Sequence, residues 1–159
     1  MSFKDRSFNA RFGKMGDEAE KKFEETYGAP FVRFGLDRPP ISMKKLPARI
    51  RNTPDYLTSS ELVECKGVGR DQKLKLKEEA WNCLNFWNGV MPLRIFIWDS
   101  HRKRHVLTPL DELRIIINDP SGGVTTDHFH DGKIYFEIPL SSLAGQWTSI
   151  EEPTTAMAA

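Results

Sequence analysis

Asp55, Glu64 and Lys66 are the residues of this 159-residue chain whose types and spacing could do chemistry together. They fall in PDYLTSSELVECKG, residues 54–67, which reads as two short strands around a TSS turn. Side chains alternate faces along a strand, so Glu64 and Lys66 point one way while Val63 and Cys65 point the other. If the two strands pair as a hairpin, Asp55 can lie beside Glu64. Two carboxylates brought that close repel, and burying them without a cation is costly. A divalent metal removes the difficulty. Mg²⁺ binds through one or two carboxylates, keeps several waters and takes other ligands from substrate phosphate. A lysine beside it can orient or help deprotonate a water, or offset charge developing on a phosphate. The plainer alternative is an exposed Glu64–Lys66 ion pair, with Asp55 a turn residue after Pro54.

The elements that must position these residues follow from periodicity. GDEAEKKFEETYG (16–28) reads as a helix, with Ala19, Phe23, Thr26 and Tyr27 at three- and four-residue spacing and Gly28 as its stop. PFVRFG (30–35) reads as a strand. Residues 36–52 carry three prolines and the cations Arg38, Lys44, Lys45, Arg49 and Arg51, which predicts a long, irregular basic loop. RDQKLKLKEEAWNCLNFWNG (70–89) reads as one helix, with a stripe of Leu76, Ala80, Cys83, Leu84 and Trp87. PLRIFIWDS (92–100) is the near-continuous apolar run of a strand covered on both faces. HRKRH (101–105) reads as a basic turn. TPLDELRIIIN (108–118) predicts a short helix, with Thr108 as N-cap, Pro109 at its first position and Asp111 completing a capping box. GKIYFEIPL (132–140) is a last strand, placed near a sheet edge by Pro139. Together these give an α/β class, a mixed β-sheet flanked by helices.

Pro54-Asp55 followed by Glu64-Cys65-Lys66 resembles the signature of the PD-(D/E)XK nuclease superfamily, which includes restriction endonucleases, archaeal-type Holliday junction resolvases and phage exonucleases. The order helix, strand, strand, strand, helix, strand over residues 16–100 is similar to the core of that group. The resemblance implies a restriction-endonuclease-like core and Mg²⁺-dependent hydrolysis of DNA phosphodiester bonds, with Mn²⁺ expected to substitute. It implies Asp55 and Glu64 as metal ligands, the Cys65 carbonyl as a further ligand, and Lys66 acting on the attacking water or the developing charge. The family commonly adds an acidic residue on the first helix. Glu20 is the candidate, with Glu24 one turn further along; Asp17-x-x-Glu20 is equally a helix capping box. Gln72, Lys73 or Lys75 could supply the basic or amide residue that the family often places early in the next helix. Among small nucleases of this kind, the short chain with no extra sequence-reading domain looks most like a structure-selective endonuclease of the Holliday junction resolvase type. An exonuclease, a nickase and a non-catalytic DNA-binding module of the same fold are the alternatives.

The bulk numbers set the frame. The length suggests one domain, taken as residues 16–150, and 39% hydrophobic residues suffice for a core. Residues 1–15 read as a basic arm and 151–159 as a disordered tail. The net charge of +1 hides an asymmetry: residues 1–105 carry +7 and residues 106–159 carry −6. The basic part suits a polyanion. Arg11 and Lys14 of the arm, Lys44 and Lys45 of the loop, and Arg70, Lys73 and Lys75 are the candidate phosphate contacts, or else solvated charge. The expected partner is DNA, branched if the resolvase likeness holds, bound by a homodimer that would present two sites. No apolar run approaches the roughly 18 residues of a membrane span, and residues 1–16 lack the apolar stretch of a secretory signal. Two cysteines, Cys65 and Cys83, are too few for a disulfide framework. A cytoplasmic setting is therefore expected, the host cytoplasm if the chain is phage-encoded. His128 and His130 form a His-x-His, but no third ligand lies at zinc-like spacing.

Overall fold

The computed structural model describes residues 8–37 and 39–150, with side chains from residue 15 onward. Arg38, the first seven residues of the predicted arm and the predicted tail, 151–159, lie outside the described residues.

The chain forms an α/β sandwich. A six-stranded mixed sheet lies at its centre. Its strands are β1 (Phe31–Arg33), β2 (Tyr56–Thr58), β3 (Leu62–Val68), β5 (Leu93–Asp99), β6 (Arg104–Pro109) and β9 (Thr148–Ser149), in that spatial order. The β3–β5 pair is parallel and every other pair in the sheet is antiparallel. A parallel pair needs a crossover connection. Here it runs through β4 (Lys73–Lys77) and α3 (Glu78–Val90). β4 belongs to a second, three-stranded antiparallel sheet with β7 (Thr125–His128) and β8 (Ile134–Pro139), in the order β4-β8-β7.

Strand alternation distributes the core between the two faces of the large sheet. Val63 and Cys65, with Tyr56, Phe96 and Trp98, pack on one face beneath Ala19 and Phe23 of α1 (Phe8–Thr26). Leu62 and Val68 face the other way. They join Leu93, Ile95 and Ile97 in the larger core, together with Leu74 and Leu76 of β4, Leu84 of α3, and Leu110 and Leu113 of α4 (Leu110–Asn118). Close approach of α1 depends on Gly67, where a Cβ would come within 2.7 Å of the Met15 main-chain oxygen.

Several expectations are corrected here. Residues 8–15 are not an arm: they are the first two turns of α1. Phe8, Phe12, Met15, Ala19 and Phe23 recur at three- and four-residue spacing, so the helical stripe begins before Gly16. The predicted helix 70–89 is a strand followed by a helix. In KLKLK, Leu74 and Leu76 are buried and Lys73, Lys75 and Lys77 exposed, a period of two that belongs to a strand. Thr108 is not a helix cap. It is a buried β6 residue opposite Ile95 with its hydroxyl unpartnered, and the helix begins after Pro109. Pro139 does not mark an edge. β8 is the central strand of the small sheet, and the proline ends it, where one missing donor costs little. The basic loop holds a 3₁₀ turn (Met43–Lys45) and a single-turn helix, α2 (Ala48–Arg51). Arg104 and His105 of the supposed basic turn belong to β6.

Candidate active site

The β2–β3 hairpin builds the site. Tyr56 pairs with Val63 and Leu57 with Leu62, so one further step of the register sets Asp55 across from Glu64. The Thr58 hydroxyl closes the turn between the strands, accepting from the Ser60 and Glu61 N–H groups and donating to the Glu61 carbonyl. Asp55 Oδ2 accepts the Cys65 N–H at 2.8 Å, and the Asp55 carbonyl accepts from Phe34 N (2.8 Å) and Gly35 N (3.1 Å). Gly35 is required for that approach, because a Cβ there would lie 2.8 Å from the Pro54 carbonyl oxygen. Lys66 Nζ lies 2.7 Å from Glu64 Oε1. The side chains of Asp55, Glu64 and Lys66 are 17%, 13% and 31% exposed, so the cluster is half-sunk yet reachable from solvent.

Electrostatics couple these groups. Burial raises the Asp55 carboxyl well above the usual carboxylate range, and the Glu64 charge raises it further; Lys66 and the Cys65 N–H pull only partly the other way. Burial pushes the Lys66 amine down, but Glu64 and Asp55 outweigh it, and the amine ends above its ordinary value. Lys66 is therefore a cation at neutral pH. The Cys65 thiol is pushed up, first by burial and then by Asp55 and Glu64, so it stays a buried neutral group.

Further charged groups link the site to α1. Arg33 donates to both oxygens of Glu20, at 3.2 and 2.9 Å, and its Nη1 lies 3.8 Å from Asp55 Oδ1. Arg33 also donates to the Tyr56 hydroxyl, which donates in turn to Glu24 at 2.7 Å. Glu20 therefore reaches Asp55 through Arg33, and Glu24 is occupied by Tyr56. The bond to Glu20 raises the Arg33 guanidinium above its ordinary value. Burial and the Glu24 bond raise the Tyr56 phenol.

Among the described residues, no group of three or more His, Cys, Asp or Glu side chains is gathered closely enough to cage a metal. The donor set is instead a carboxylate pair. Asp55 destabilised by Glu64 is the charge arrangement that a dication relieves, and Mg²⁺ is commonly held through one or two carboxylates. In an extended strand a residue's N–H and C=O leave by the same edge, so the Cys65 carbonyl points to the edge where Asp55 sits. The set thus fits Mg²⁺ held by Asp55 and Glu64 with help from that carbonyl. It does not fit an ion wrapped entirely in protein, and Glu20 is not placed as a direct ligand.

The candidate phosphate contacts are scattered. Lys44 and Lys45, on the 3₁₀ turn, and Arg70, in the turn after β3, are exposed and have no ion-pair partner among the described residues. Lys73 and Lys75 lie on β4, paired with Glu137 and Asp71 at 3.1 Å each. Gln72, in the preceding turn, donates to Asp99. Arg11 and Lys14 fall on α1, and their side chains lie outside the described ones. Sequence reading missed Arg33, Tyr56 and Lys77. The Lys77 amine is pushed down by burial and by the charges of Lys133 and Lys66, and it lies over the Phe129 ring. A signal for Arg33 existed: it shares a face with Phe31, where a half-buried strand wants an apolar side chain. No protein-family model matches the chain, and no curated protein is significantly similar to it in sequence.

Proposed function

We propose that the protein is a Mg²⁺-dependent deoxyribonuclease that hydrolyses phosphodiester bonds as an endonuclease. One observation carries the reading: the β2–β3 register sets Asp55 across from Glu64, with Lys66 Nζ 2.7 Å from Glu64 Oε1. Asp55 and Glu64 would hold the ion, with the Cys65 carbonyl beside them. When bound, the ion supplies positive charge to the scissile phosphate and acidifies water nearby. Lys66, as a fixed cation, orients the attacking water and stabilises charge gathering on the phosphate oxygens. Arg33 restrains the Asp55 carboxylate from the far side, and Glu20 acts by holding Arg33. The exposed Lys44, Lys45 and Arg70 contribute phosphate contacts, so affinity should fall steeply with salt.

Within this class, a structure-selective enzyme of the Holliday junction resolvase kind, acting as a dimer on branched DNA, is the preferred form. Mn²⁺ is expected to replace Mg²⁺. Cleavage of four-way junction, duplex and single-stranded DNA by wild type, Glu64→Ala and Lys66→Ala, with and without Mg²⁺, tests the reading. Wild type should cut only with the metal and the variants should be strongly impaired. Equal cutting by all three proteins removes the site assignment, and binding without cutting by all three leaves a DNA-binding module. Closed circular DNA separates an endonuclease from an obligate exonuclease, which cannot start on it.

A further inference from the structure

Beside Asp55 the surface changes character. Phe34, whose N–H is bonded to the Asp55 carbonyl, is 40% exposed. Its ring meets Trp87 edge-on at 5.6 Å, and Trp87 meets Phe86, also 40% exposed, at 5.6 Å. The Arg49 guanidinium lies over the Phe86 ring at 4.0 Å, and the Arg49 carbonyl accepts the Trp87 indole N–H at 3.3 Å. The result is a fixed row, Phe34–Trp87–Phe86–Arg49, leading away from the carboxylate site. Neither outer ring, Phe34 or Phe86, belongs to either hydrophobic core.

Charge identifies what the row can accept. Residues 39–51 contain Lys44, Lys45, Arg49 and Arg51 and no carboxylate. Glu78 and Glu79 of α3 line the cleft beside Arg49 and Phe86, and Glu79 is paired with Arg51; the four cations of 39–51 still outnumber these two carboxylates, and Arg49, Lys44 and Lys45 have no ion-pair partner among the described residues. A second copy docked isologously on this face would oppose these cations with their own duplicates. A polyanion would not. Aromatic rings and a guanidinium plane beside unpaired cations suit a single strand, whose bases stack while its phosphates meet the cations. Duplex DNA keeps its bases stacked internally and offers such rings nothing.

We propose that Phe34, Phe86 and Arg49 form a stacking platform for unpaired bases of single-stranded nucleic acid next to the carboxylate site. The proposal deepens the nuclease reading and rests on it for substrate class: among branched substrates, those with unpaired nucleotides beside the bond that is cut are preferred over fully paired junctions.

The test is equilibrium binding of the full chain, in EDTA, to fluorescein-labelled oligo-dT and to a duplex of equal length, by anisotropy at fixed low salt. Phe34→Leu and Phe86→Leu keep apolar volume and remove the π face, and thermal melts check that both fold. Each variant should bind oligo-dT about 5- to 100-fold more weakly and duplex within about twofold of wild type. Equal loss on both ligands, or loss on neither, overturns the platform. So does a wild-type dimer that Phe34→Leu/Phe86→Leu converts to monomer with DNA affinity unchanged, since a second copy would then cover the face. Cleavage plays no part in these measurements. A protein that never cuts but loses oligo-dT binding in these variants sinks the nuclease reading and keeps the platform; one that cuts while the variants bind normally does the reverse.

Discussion

Asp55→Asn should make this protein more stable while removing the activity proposed for it. The Asp55 side chain is mostly buried, faces Glu64, and has its carboxyl raised well above the usual range. A raised carboxyl means that folding disfavours the ionised form. Its penalty is absent while the acid is protonated in both states, grows as pH climbs from the unfolded value of about 3.9 toward the folded one, and levels off once the acid is ionised in both states. Folding stability therefore falls over that window. Asparagine has the shape of the neutral acid, and its carbonyl can still accept the Cys65 N–H. The nearby Arg33 and Lys66 do not reverse the sign, since the carboxyl remains raised with both in place. The gain at pH 7 should be on the order of 1–3 kcal/mol, the usual scale for a poorly compensated buried polar group. For a chain of this size each kcal/mol corresponds to about 2–4 °C in Tm. Urea unfolding in EDTA from pH 4 to pH 8 measures it, with the two proteins converging at the acid end. Mg²⁺ should then reverse the order: saturation to 100 times Kd adds about 2.7 kcal/mol to wild type and little to the variant. An Asn variant less stable than wild type at neutral pH in EDTA would refute the electrostatic argument for the cation site.

Three further outcomes follow from the same structure. Gly67→Ala should cost about 1–3 kcal/mol in chemical unfolding, because the new Cβ would press on the Met15 main-chain oxygen, and it should perturb Glu20 through the displaced α1. Asp99 is fully buried and accepts from the Gln72 side chain, the His101 and Arg102 N–H groups and Arg104 Nε; Asp99→Ala should cost about 3–5 kcal/mol by stranding Arg104. Burial alone would raise the Asp99 carboxyl, yet the bonds from Gln72 and Arg104 hold it below 3.8, so its contribution is present above the unfolded value and lost as pH falls through the lower folded one; an alanine variant should show a shallower loss of stability there. Arg33→Gln should cost about 1–2 kcal/mol, discounted because both partners are a quarter exposed, and a double-mutant cycle with Glu20→Gln should recover most of it as coupling.

What the sequence disclosed was whatever local alternation determines. Glu64 and Lys66 fall on one face because the strand period is two, and Asp55 meets Glu64 because a short turn leaves the register little freedom. The misreadings share the opposite cause. KLKLKEE satisfies a helix template when read into the following AWNCL run; what makes its first five residues a strand is β8, distant in sequence, where Leu74 meets Ile138. Thr108-Pro109-Leu110-Asp111 has every local mark of a cap, but Thr108 is claimed by its β5 partner Ile95. Arg33 could not be assigned to the site from its own neighbours, since its role depends on α1 laying Glu20 across β1.

The crossover that closes the parallel β3–β5 pair has a consequence for how the chain emerges during synthesis. β4 lies inside that crossover, but its hydrogen-bonding partner β8 is made roughly 60 residues later, some 3–12 seconds at ordinary elongation rates. Through that interval Leu74 and Leu76 have no strand to pair with, and the alternating lysines along the same segment keep the waiting edge charged. Charge alternating along an unpaired edge disfavours intermolecular strand pairing, so these lysines have a use in the interval before β8 is made that is independent of any ligand.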